Sequence, residues 1–392
     1  MRMIIFTSHP IQYQVPLFRA IHSDPDIELL VVFSYIPDAT EQGIGFGREI
    51  VWDTPLLDGY VSLVLSTAQT PFARNGFAKR VALELGSVIE KFSPDAALVL
   101  GWQELSLVQA YISCALRGIP IILRGESNGL RQRPAFIRFL HKLYFSLASS
   151  FIAIGDSNKN FYLQSGVASP KIAMAKYFVD NEHFSAKVAA RIPMRETIRG
   201  KWGIQSTRMV VLFAGKLEAK KRVADVIRGC ILAQSRGADL HLLIVGDGAE
   251  KVAAVEQAEV AGINYTFAGF LNQSEISDAY MVADCLVLPS DFGETWGLVA
   301  NEAMASGLPV IVSDRVGCAN DLVLEGSTGA VVPFNDADAL ASVLVRWNQE
   351  KERRMQLGIT AKAHVETNYT VKLAAEAIKT AAFQARQDNR RE

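Results

Sequence analysis

The stretch SDFGETWGLVANEAMASGLPVIVSD, residues 290–314, decides how the second half of this chain folds. It follows one short apolar run and ends in another, and residues that favour turns separate the two. We predict a helix from about Trp296 to Ser306, with Gly307 as its C-terminal cap. The stretch therefore predicts the order strand, loop, helix, turn, strand.

Two acidic residues flank the start of this predicted helix. Glu294 lies in the loop before the first turn, and Glu302 lies about two turns into the helix. The free amides near Trp296, Gly297 and Leu298 carry the positive end of the helix dipole, which suits a diphosphate. Ionised carboxylates accept hydrogen bonds from hydroxyl groups. The pattern therefore suits a sugar nucleotide, with ribose on one side of the diphosphate and the sugar on the other.

This stretch resembles the signature of retaining glycosyltransferases of the GT-B fold, in the large family numbered four. That signature has a glutamate, seven residues, a second glutamate, a helix end of small residues and a Gly-x-Pro turn into a strand. Here the turn is Gly307-Leu308-Pro309. The resemblance implies an α/β protein with two Rossmann-like, doubly wound domains that face a cleft. The alternative is an ordinary α/β protein with its glutamates on solvated helix surfaces.

Size and composition limit the class of protein. A chain of 392 residues with 49% hydrophobic and 21% charged residues predicts two ordered domains. The net charge of −1 does not indicate nucleic acid as a partner. No apolar run is long enough to span a membrane, and the N-terminal MRMIIFTSHP is too short in its apolar part for a signal peptide. The cysteines are scattered without a CxxC pair, which is typical of reduced core residues in a cytosolic protein: Cys114, Cys230, Cys285 and Cys318.

Short apolar runs alternate with helix-period segments along the chain, which indicates parallel, doubly wound sheets. Predicted strands of the first half are 3–7, 29–34, 61–65, 96–101, 119–123 and 151–154. Predicted strands of the second half are 209–214, 241–245, 265–268, 285–288, 309–312 and 330–332. Helical spacing is found at 77–92 and 105–116. We predict domains at 1–180 and 181–370, and by resemblance the helix 371–392 returns to the first domain.

A basic run, GKLEAKKRVADVI, follows the first predicted strand of the second domain. It resembles the family's Gly-Arg-Leu segment and its following lysine, so Lys216 stands at the usual arginine and Lys221 is the second cation. Two cations beside a helix start would neutralise a leaving diphosphate. Lys220 and Arg222 flank Lys221 and leave the register open, and a solvated helix start is the alternative. Lysine also lacks the bidentate fork of arginine.

Two further loops resemble the nucleotide side of the family. Gly246 and Asp247 follow a buried strand, although Gly-Asp-Gly is also a common turn. Phe270 follows the next strand and either stacks on a base or belongs to the core.

Three residues of the first domain are candidates for the chemistry. His9 follows the first strand and either contacts donor or acceptor or is structural. Many family members carry a histidine six residues after a Gly-x-Pro like 118–120. Here that position is Glu126, and Arg124 precedes it by two residues. The two either replace the histidine or form an ion pair.

The segment 127–155 has no acidic residue, and it suits either a basic solvated helix or a helix on an anionic membrane surface. The basic and apolar residues of the segment are Arg131, Arg133, Arg138 and Lys142 with Phe136, Ile137, Leu140, Leu143, Tyr144 and Leu147.

We find no His or Cys cluster with ligand spacing and no Asp-x-Asp motif, so we expect no metal at the site.

The resemblance, together with these patterns, implies a retaining glycosyltransferase that transfers the sugar of a UDP- or GDP-linked donor to a glycan or lipid-linked acceptor, in cell-surface polysaccharide, glycolipid or related glycan synthesis. We expect no cofactor and a cytoplasmic location. Peripheral contact with the inner face of the cell membrane is an open alternative. The alternatives are a non-hydrolysing sugar-nucleotide 2-epimerase and a catalytically silent sugar-nucleotide-binding subunit. The catalytic candidates are Glu294, Lys216, Lys221, Arg124, Glu126 and His9. The donor-binding candidates are Glu302, Trp296, Gly297, Leu298, Gly246, Asp247 and Phe270.

Overall fold

A computed structural model describes residues 1–69, 76–130 and 133–390 of the chain. It divides into two compact units. The first unit contains Met1–Pro37, Pro55–Tyr177 and the chain from Val371, and the second contains Asp38–Thr54 and Phe178–Thr370. The segment Asp38–Thr54 therefore groups with the second unit, although the sequence analysis assigned it to the first domain.

A parallel sheet forms the centre of the first unit. The strands of this unit are β1 (Arg2–Thr7), β2 (Glu28–Phe33), β3 (Ser62–Val64), β4 (Thr67–Gln69), β5 (Arg80–Ala82), β6 (Ala96–Leu100), β7 (Ile121–Arg124), β8 (Ser150–Ala153) and β9 (Ile172–Met174). The sheet order is β3-β2-β1-β6-β7-β8-β9, and β4 pairs with β5 in a separate antiparallel ribbon. Because the order reverses between β1 and β6, the loops after these two strands lie at a topological switch point.

Helices flank this sheet. The helices up to residue 164 are α1 (Val15–His22), α2 (Ala39–Gln42), α3 (Leu85–Phe92), α4 (Leu105–Ala115), α5 (Ala135–Phe145) and α6 (Asp156–Gln164). Of these, α2 belongs to the second unit. A 3-10 turn, Ser169–Lys171, precedes β9. The apolar residues of β1 and β6 are fully buried, as expected for strands covered on both faces.

A parallel sheet also forms the second unit. Its strands are β10 (Met209–Ala214), β11 (Leu240–Val245), β12 (Tyr265–Gly269), β13 (Cys285–Leu288), β14 (Val310–Ser313) and β15 (Gly329–Val332). The order is β12-β11-β10-β13-β14-β15, with the reversal between β10 and β13. The predicted α/β architecture of two doubly wound parallel sheets is therefore confirmed. The predicted bounds of β10 and β13 agree with the structure residue for residue.

Helices cover both faces of the second sheet. Those of the second unit after α2 are α7 (Asn181–Arg191), α8 (Arg195–Lys201), α9 (Val223–Ser235), α10 (Lys251–Ala261), α11 (Ile276–Val282), α12 (Leu298–Ala305), α13 (Ala319–Leu322), α14 (Ala337–Gln349) and α15 (Lys351–Asn368). Short 3-10 turns span Ile192–Met194 and Ala219–Lys221. The packing of α9 against α14 buries Trp347 within the core.

The last helix, α16 (Val371–Asn389), packs within the first unit. Lys379 pairs with Asp24 at 2.8 Å and with Asp26 at 2.7 Å, and Arg386 pairs with Asp95 at 2.8 Å. Its buried residues are small and apolar, mostly alanine, which lets the helix lie close to α1 and the sheet.

One helix prediction is wrong. The sequence analysis expected a helix over 77–92, but β5 occupies Arg80–Ala82 and α3 begins only at Leu85. The amide of Ala82 donates to the Gln109 side chain at 2.9 Å, and β5 pairs with β4. Tertiary pairing therefore overrides the local spacing in this segment.

The four cysteines are buried and free. Burial raises the pKa of Cys114 and of Cys230 to about 12, so both stay protonated at neutral pH. In the described parts of the chain, no helix has the length and apolar character needed to cross a bilayer. Arg131, one of the basic residues of the segment 127–155, lies outside the described residues.

Candidate active site

The carboxyl ends of four neighbouring strands of the second sheet carry most of the predicted donor-site residues. Lys216 follows β10, Gly246 follows β11, Phe270 follows β12 and Glu294 follows β13. Because these strands are parallel and adjacent, their following loops share one edge of the sheet. The loops after β10 and β13 flank the point where the strand order reverses.

Glu294 and Lys221 are brought together at this edge. The Lys221 ammonium donates to a carboxylate oxygen of Glu294, and each side chain is only 15% exposed. The Ser290 hydroxyl also lies 3.4 Å from the same oxygen. The Glu294 carbonyl accepts from the amide of Gly317 at 3.1 Å, which fixes the loop. A carboxylate and an ammonium are therefore held side by side, 73 positions apart in sequence.

Three neighbouring cations of the basic run have different partners in the structure. Lys220 is exposed and pairs with Glu218 at 3.4 Å, whereas Arg222 forms a two-pronged ion pair with Asp225 at 2.9 and 3.0 Å. Lys221, between them, is the residue that contacts Glu294. The turn Ala219–Lys221 and the left-handed φ of 58° at Arg222 aim the three side chains in different directions.

The helix that carries Glu302, α12, begins at Leu298 rather than at Trp296. Gly297 has φ of 103°, and a Cβ there would lie 2.6 Å from the Leu288 side chain. Backbone conformation and core packing therefore require glycine at this position. Trp296 is buried and donates from its indole nitrogen to Asn301 at 2.8 Å, so it anchors the first turn.

The amides at the start of α12 point to an anion site. Among the described residues, the backbone amides of Gly297 and Leu298 donate to no backbone carbonyl. Such amides at a helix N-terminus carry its positive partial charge. Glu294 precedes them in the chain and Lys221 is paired with it. This arrangement combines donors and a cation for a phosphate with an acceptor for hydroxyl groups.

Glu302 lies on the buried side of α12 and is 4% exposed. The hydroxyl of Tyr280, from α11, donates to one of its carboxylate oxygens. Tyr280 is itself buried, with the ring of Phe184 at 6.0 Å. Sequence reasoning did not identify Tyr280, because no local pattern links α11 to α12.

The loops after β10 and β11 pack tightly against each other. A Cβ at Gly246 would lie 1.9 Å from the Gly215 carbonyl oxygen, so glycine is required there. The Asp247 carbonyl accepts from the amide of Leu217 at 2.8 Å. Its carboxylate accepts from the Gly248 amide at 3.0 Å and from Lys251 at 3.1 Å. The side chain of Asp247 therefore stabilises its own loop.

Lys216 is half-buried at this edge. Burial lowers the pKa of Lys216, Glu218 nearby opposes that shift, and the charges of Lys220 and Lys221 add to it. An added phosphate, like the Glu218 carboxylate, would raise the pKa of Lys216, because a nearby negative charge favours the charged ammonium. Lys216 donates to the carbonyl of Ile44 at 2.6 Å, a contact that the sequence did not predict.

Two candidates of the first unit, Arg124 and Glu126, lie beside a buried tyrosine, and the third, His9, has other neighbours. Arg124 is 3% exposed and lies 4.8 Å from the centre of the Tyr177 ring. The Tyr177 hydroxyl donates to Glu126. Burial and the neighbouring Glu126 charge hold the pKa of Tyr177 well above its usual range, so the phenol remains a donor. His9 contacts the Ser8 hydroxyl at 3.0 Å, and its ring lies 5.4 Å from that of Tyr35.

In the described ranges, no group of three or more His, Cys, Asp or Glu side chains is placed to hold a metal ion.

Comparison with known proteins identifies relatives of this arrangement. Residues 194–364 match the family model "Glycosyl transferases group 1". The alpha-D-kanosaminyltransferase of Streptomyces kanamyceticus is 22% identical over 336 residues, which cover 82% of this chain and 83% of that protein. The D-inositol 3-phosphate glycosyltransferase of Corynebacterium glutamicum is 33% identical over 181 residues, covering 44% of this chain and 43% of that protein. The chain therefore matches less than half the length of this second relative.

The fold recurs among solved structures. HepE of Anabaena, solved in complex with UDP, superposes with a TM-score of 0.73 at 16% identity. The match covers 98% of this chain and 100% of the HepE chain. At this identity the likeness establishes the fold.

Proposed function

We propose that this chain transfers a sugar from a nucleotide diphosphate sugar to an acceptor hydroxyl with retention of configuration. The match of residues 194–364 to the model of group 1 glycosyl transferases and the GT-B fold support this proposal. The observation that carries the proposal is the Lys221–Glu294 pair beside the start of α12. A diphosphate with hydroxyl groups on its flank matches this combination of cation, amides and carboxylate.

The charged residues of the candidate site and the amides at the start of α12 each have a role in this proposal. Lys221, Lys216 and the amides of Gly297 and Leu298 bind the diphosphate and stabilise the charge that develops on it as it leaves. Glu294 accepts hydrogen bonds from the hydroxyls of the sugar, and Glu302 accepts them from the ribose. Tyr280 positions Glu302, because its hydroxyl donates to that carboxylate.

The ion pair bears on how retention is achieved. A carboxylate that accepts a hydrogen bond from a lysine ammonium is a weaker nucleophile than a free one, so Glu294 suits binding better than covalent catalysis. We propose a front-face reaction. The bond from the anomeric carbon to the phosphate oxygen breaks with its electron pair on that oxygen, the acceptor oxygen bonds on the same face, and the phosphate takes the hydroxyl proton.

We propose that the first unit recognises the acceptor through Arg124, Glu126 and His9. Arg124 is a cation and Glu126 an acceptor, and Tyr177 links the two. For the donor base we propose uridine rather than guanosine, a choice supported by the UDP complex of HepE.

Helix α5 supports a lipid-linked acceptor at a membrane surface. Four large apolar side chains of α5 and one that follows it are 41% to 67% exposed. The basic residues Arg138 and Lys142 lie on the same helix. Apolar side chains with interspersed cations bind anionic bilayers by insertion and charge attraction. The exposed apolar residues are Phe136, Phe139, Leu140, Leu143 and Leu147.

Flotation with vesicles tests this surface. We expect binding to vesicles containing phosphatidylglycerol at low salt, weaker binding at high salt, and little binding to pure phosphatidylcholine. The double variant Phe136→Ser, Leu143→Ser should lose binding. The control Val260→Ser changes an 84% exposed valine on α10 and should keep it. No flotation of the wild type at low salt would contradict the membrane proposal.

Incubation with UDP- and GDP-linked sugars tests the main proposal. We expect slow release of UDP through hydrolysis and faster release with an acceptor, with an α-linked sugar giving an α-linked product by NMR. Interconversion of the sugar without nucleotide release would instead identify the epimerase. Binding without either reaction would identify the silent subunit.

A further inference from the structure

The segment Asp38–Thr54 comes from the first half of the chain but packs on the second unit. It forms a compact loop: Asp38 caps α2 by accepting from the Glu41 amide at 2.8 Å, and the Ile50 amide donates to the Ala39 carbonyl at 3.0 Å. We call this segment the strap.

The strap is attached beside the loop that follows β12. The Asn272 side chain donates to the Val51 carbonyl at 2.8 Å, and the Ser274 amide donates to the Asp53 carboxylate at 3.0 Å. These bonds hold the C-terminal part of the strap next to Phe270.

The strap accepts a hydrogen bond from the Lys216 ammonium. The Ile44 carbonyl oxygen lies 2.6 Å from the Lys216 nitrogen, and the same nitrogen lies 4.9 Å from the centre of the Phe46 ring. A carbonyl oxygen accepts a hydrogen bond from an ammonium as a phosphate oxygen does. Within the proposed donor site, the Ile44 carbonyl therefore stands where a phosphate oxygen would bind.

The strap also surrounds Phe270, for which the sequence analysis left base stacking and a place in the core as alternatives. The Phe46 ring packs edge-on at 5.0 Å and the Trp52 ring lies at 6.0 Å. The Arg48 guanidinium lies 5.7 Å from the Phe270 ring centre. Aromatic rings and a guanidinium are the groups against which a nucleobase stacks, so the strap presents Phe270 with the same kind of partner.

We propose that the strap is an internal stand-in for the donor nucleotide, which occupies the base and phosphate positions and must be displaced when the donor binds. Phe46 and Trp52 are then residues that set donor affinity. This inference rests on the proposed function, because it requires that Lys216 and Phe270 belong to the donor site.

The strap is suited to displacement because few of its apolar side chains are buried. Of its apolar side chains only Ile50 is fully buried, and Ile44 and Val51 are largely exposed. Gly45 and Gly47 adopt left-handed φ angles of 88° and 68°, which allow a tight turn at its tip. Segments with few buried apolar contacts open at low free-energy cost.

The strap lowers donor affinity under this proposal, because the free energy of its contacts must be given up when the nucleotide binds. The apparent dissociation constant is raised by the inverse of the fraction of molecules with the strap displaced. A fixed strap that formed a wall of the base pocket would have the opposite effect, since removing a wall weakens binding. The sign of the change in Kd therefore separates the two.

Calorimetric titration of UDP and GDP into the full-length protein provides the test. Phe46→Ala and Trp52→Ala should each lower the Kd of the preferred nucleotide about 3- to 10-fold. The control Val51→Ala alters an exposed strap side chain and should leave the Kd unchanged. Addition of the nucleotide should also change tryptophan fluorescence in the wild type, and this change should shrink in Trp52→Phe.

The outcomes separate the two proposals. Nucleotide binding by the wild type with unchanged or weaker binding by Phe46→Ala and Trp52→Ala overturns the stand-in and leaves the proposed function in place. Binding by these variants but not by the wild type supports the stand-in strongly. Absence of nucleotide binding in the wild type and in every variant overturns both.

Discussion

The carboxyl edges of the two parallel sheets hold their charged residues in different ways. In the second unit, Lys221 and Glu294 pair directly and remain partly exposed beside the start of α12. In the first unit, Arg124 is buried and lies against Tyr177, which donates to Glu126. The family model matches residues 194–364, which lie in the second unit alone.

This difference indicates a division of labour. A partly exposed ion pair can exchange its internal partner for a ligand, because water and ligand reach both charges. An arginine and a carboxylate linked through a buried phenol are instead positioned by the core. We expect changes in the second unit to act on donor use and changes in the first to act on stability and acceptor use.

The largest effect is expected from Lys221→Met. The substitution keeps the length of the side chain but removes the cation that would stabilise the leaving diphosphate, so kcat/KM should fall roughly 100- to 1000-fold. Lys220→Met is the matched control, since Lys220 is exposed and pairs with Glu218. Steady-state kinetics with the preferred donor measures both. Equal losses in the two variants would contradict the assignment of Lys221.

A smaller effect on the same unit is expected from Glu302→Ala. If Glu302 binds ribose as we propose, loss of one or two charged hydrogen bonds, about 1.5–3 kcal/mol each, should weaken donor binding at least 10-fold. Tyr280→Phe keeps the buried ring but removes the hydroxyl that donates to Glu302, and should weaken binding less. Titration calorimetry with the nucleotide compares them. Wild-type affinity in Glu302→Ala would remove this residue from the site.

In the first unit, Tyr177→Phe should lower the free energy of unfolding by about 1–3 kcal/mol, because Glu126 loses a buried donor. Its KM for acceptor should rise while the Kd for donor nucleotide stays constant. Denaturant unfolding, acceptor kinetics and nucleotide titration measure the three quantities. A changed donor Kd would contradict the proposed division between the units.

The smallest effect concerns pH and the second sheet. His241 on β11 contacts the Thr266 hydroxyl at 2.9 Å, and burial with nearby arginines lowers its pKa to about 4. Between pH 6.5 and 4 the unfolded chain binds more protons at this site, so acidification destabilises the folded state. From pH 7 to 5 we expect a loss of about 1–2 kcal/mol at this residue.

The variant His241→Asn keeps a neutral donor at this position and should flatten that part of the stability profile. Thermal unfolding at several pH values measures the slope. An equally steep decline in the variant would show that other groups cause it.

Local patterns predicted much of the second unit. The strands β10 and β13 were predicted with correct ends because each is a continuous apolar run that the core can bury on both faces. The start of α12 was misplaced by two residues, since Gly297 turns the chain with a positive φ that the spacing of apolar residues does not reveal. The expected helix at 77–92 failed because β5 finds a distant partner.

The amino-acid sequence by itself determined the alternation of strands and helices and the spacing of Glu294 and Glu302, because these features depend on neighbours within a few turns. Only the tertiary structure decided which groups meet. Lys221 reaches Glu294 across 73 positions, and the Ile44 carbonyl reaches Lys216 across 172. Lys221 and Glu294 meet because the parallel strands β10 and β13 align their following loops at one edge of the sheet. Ile44 belongs to the strap, which follows no strand of that sheet, and no short-range pattern encodes either contact.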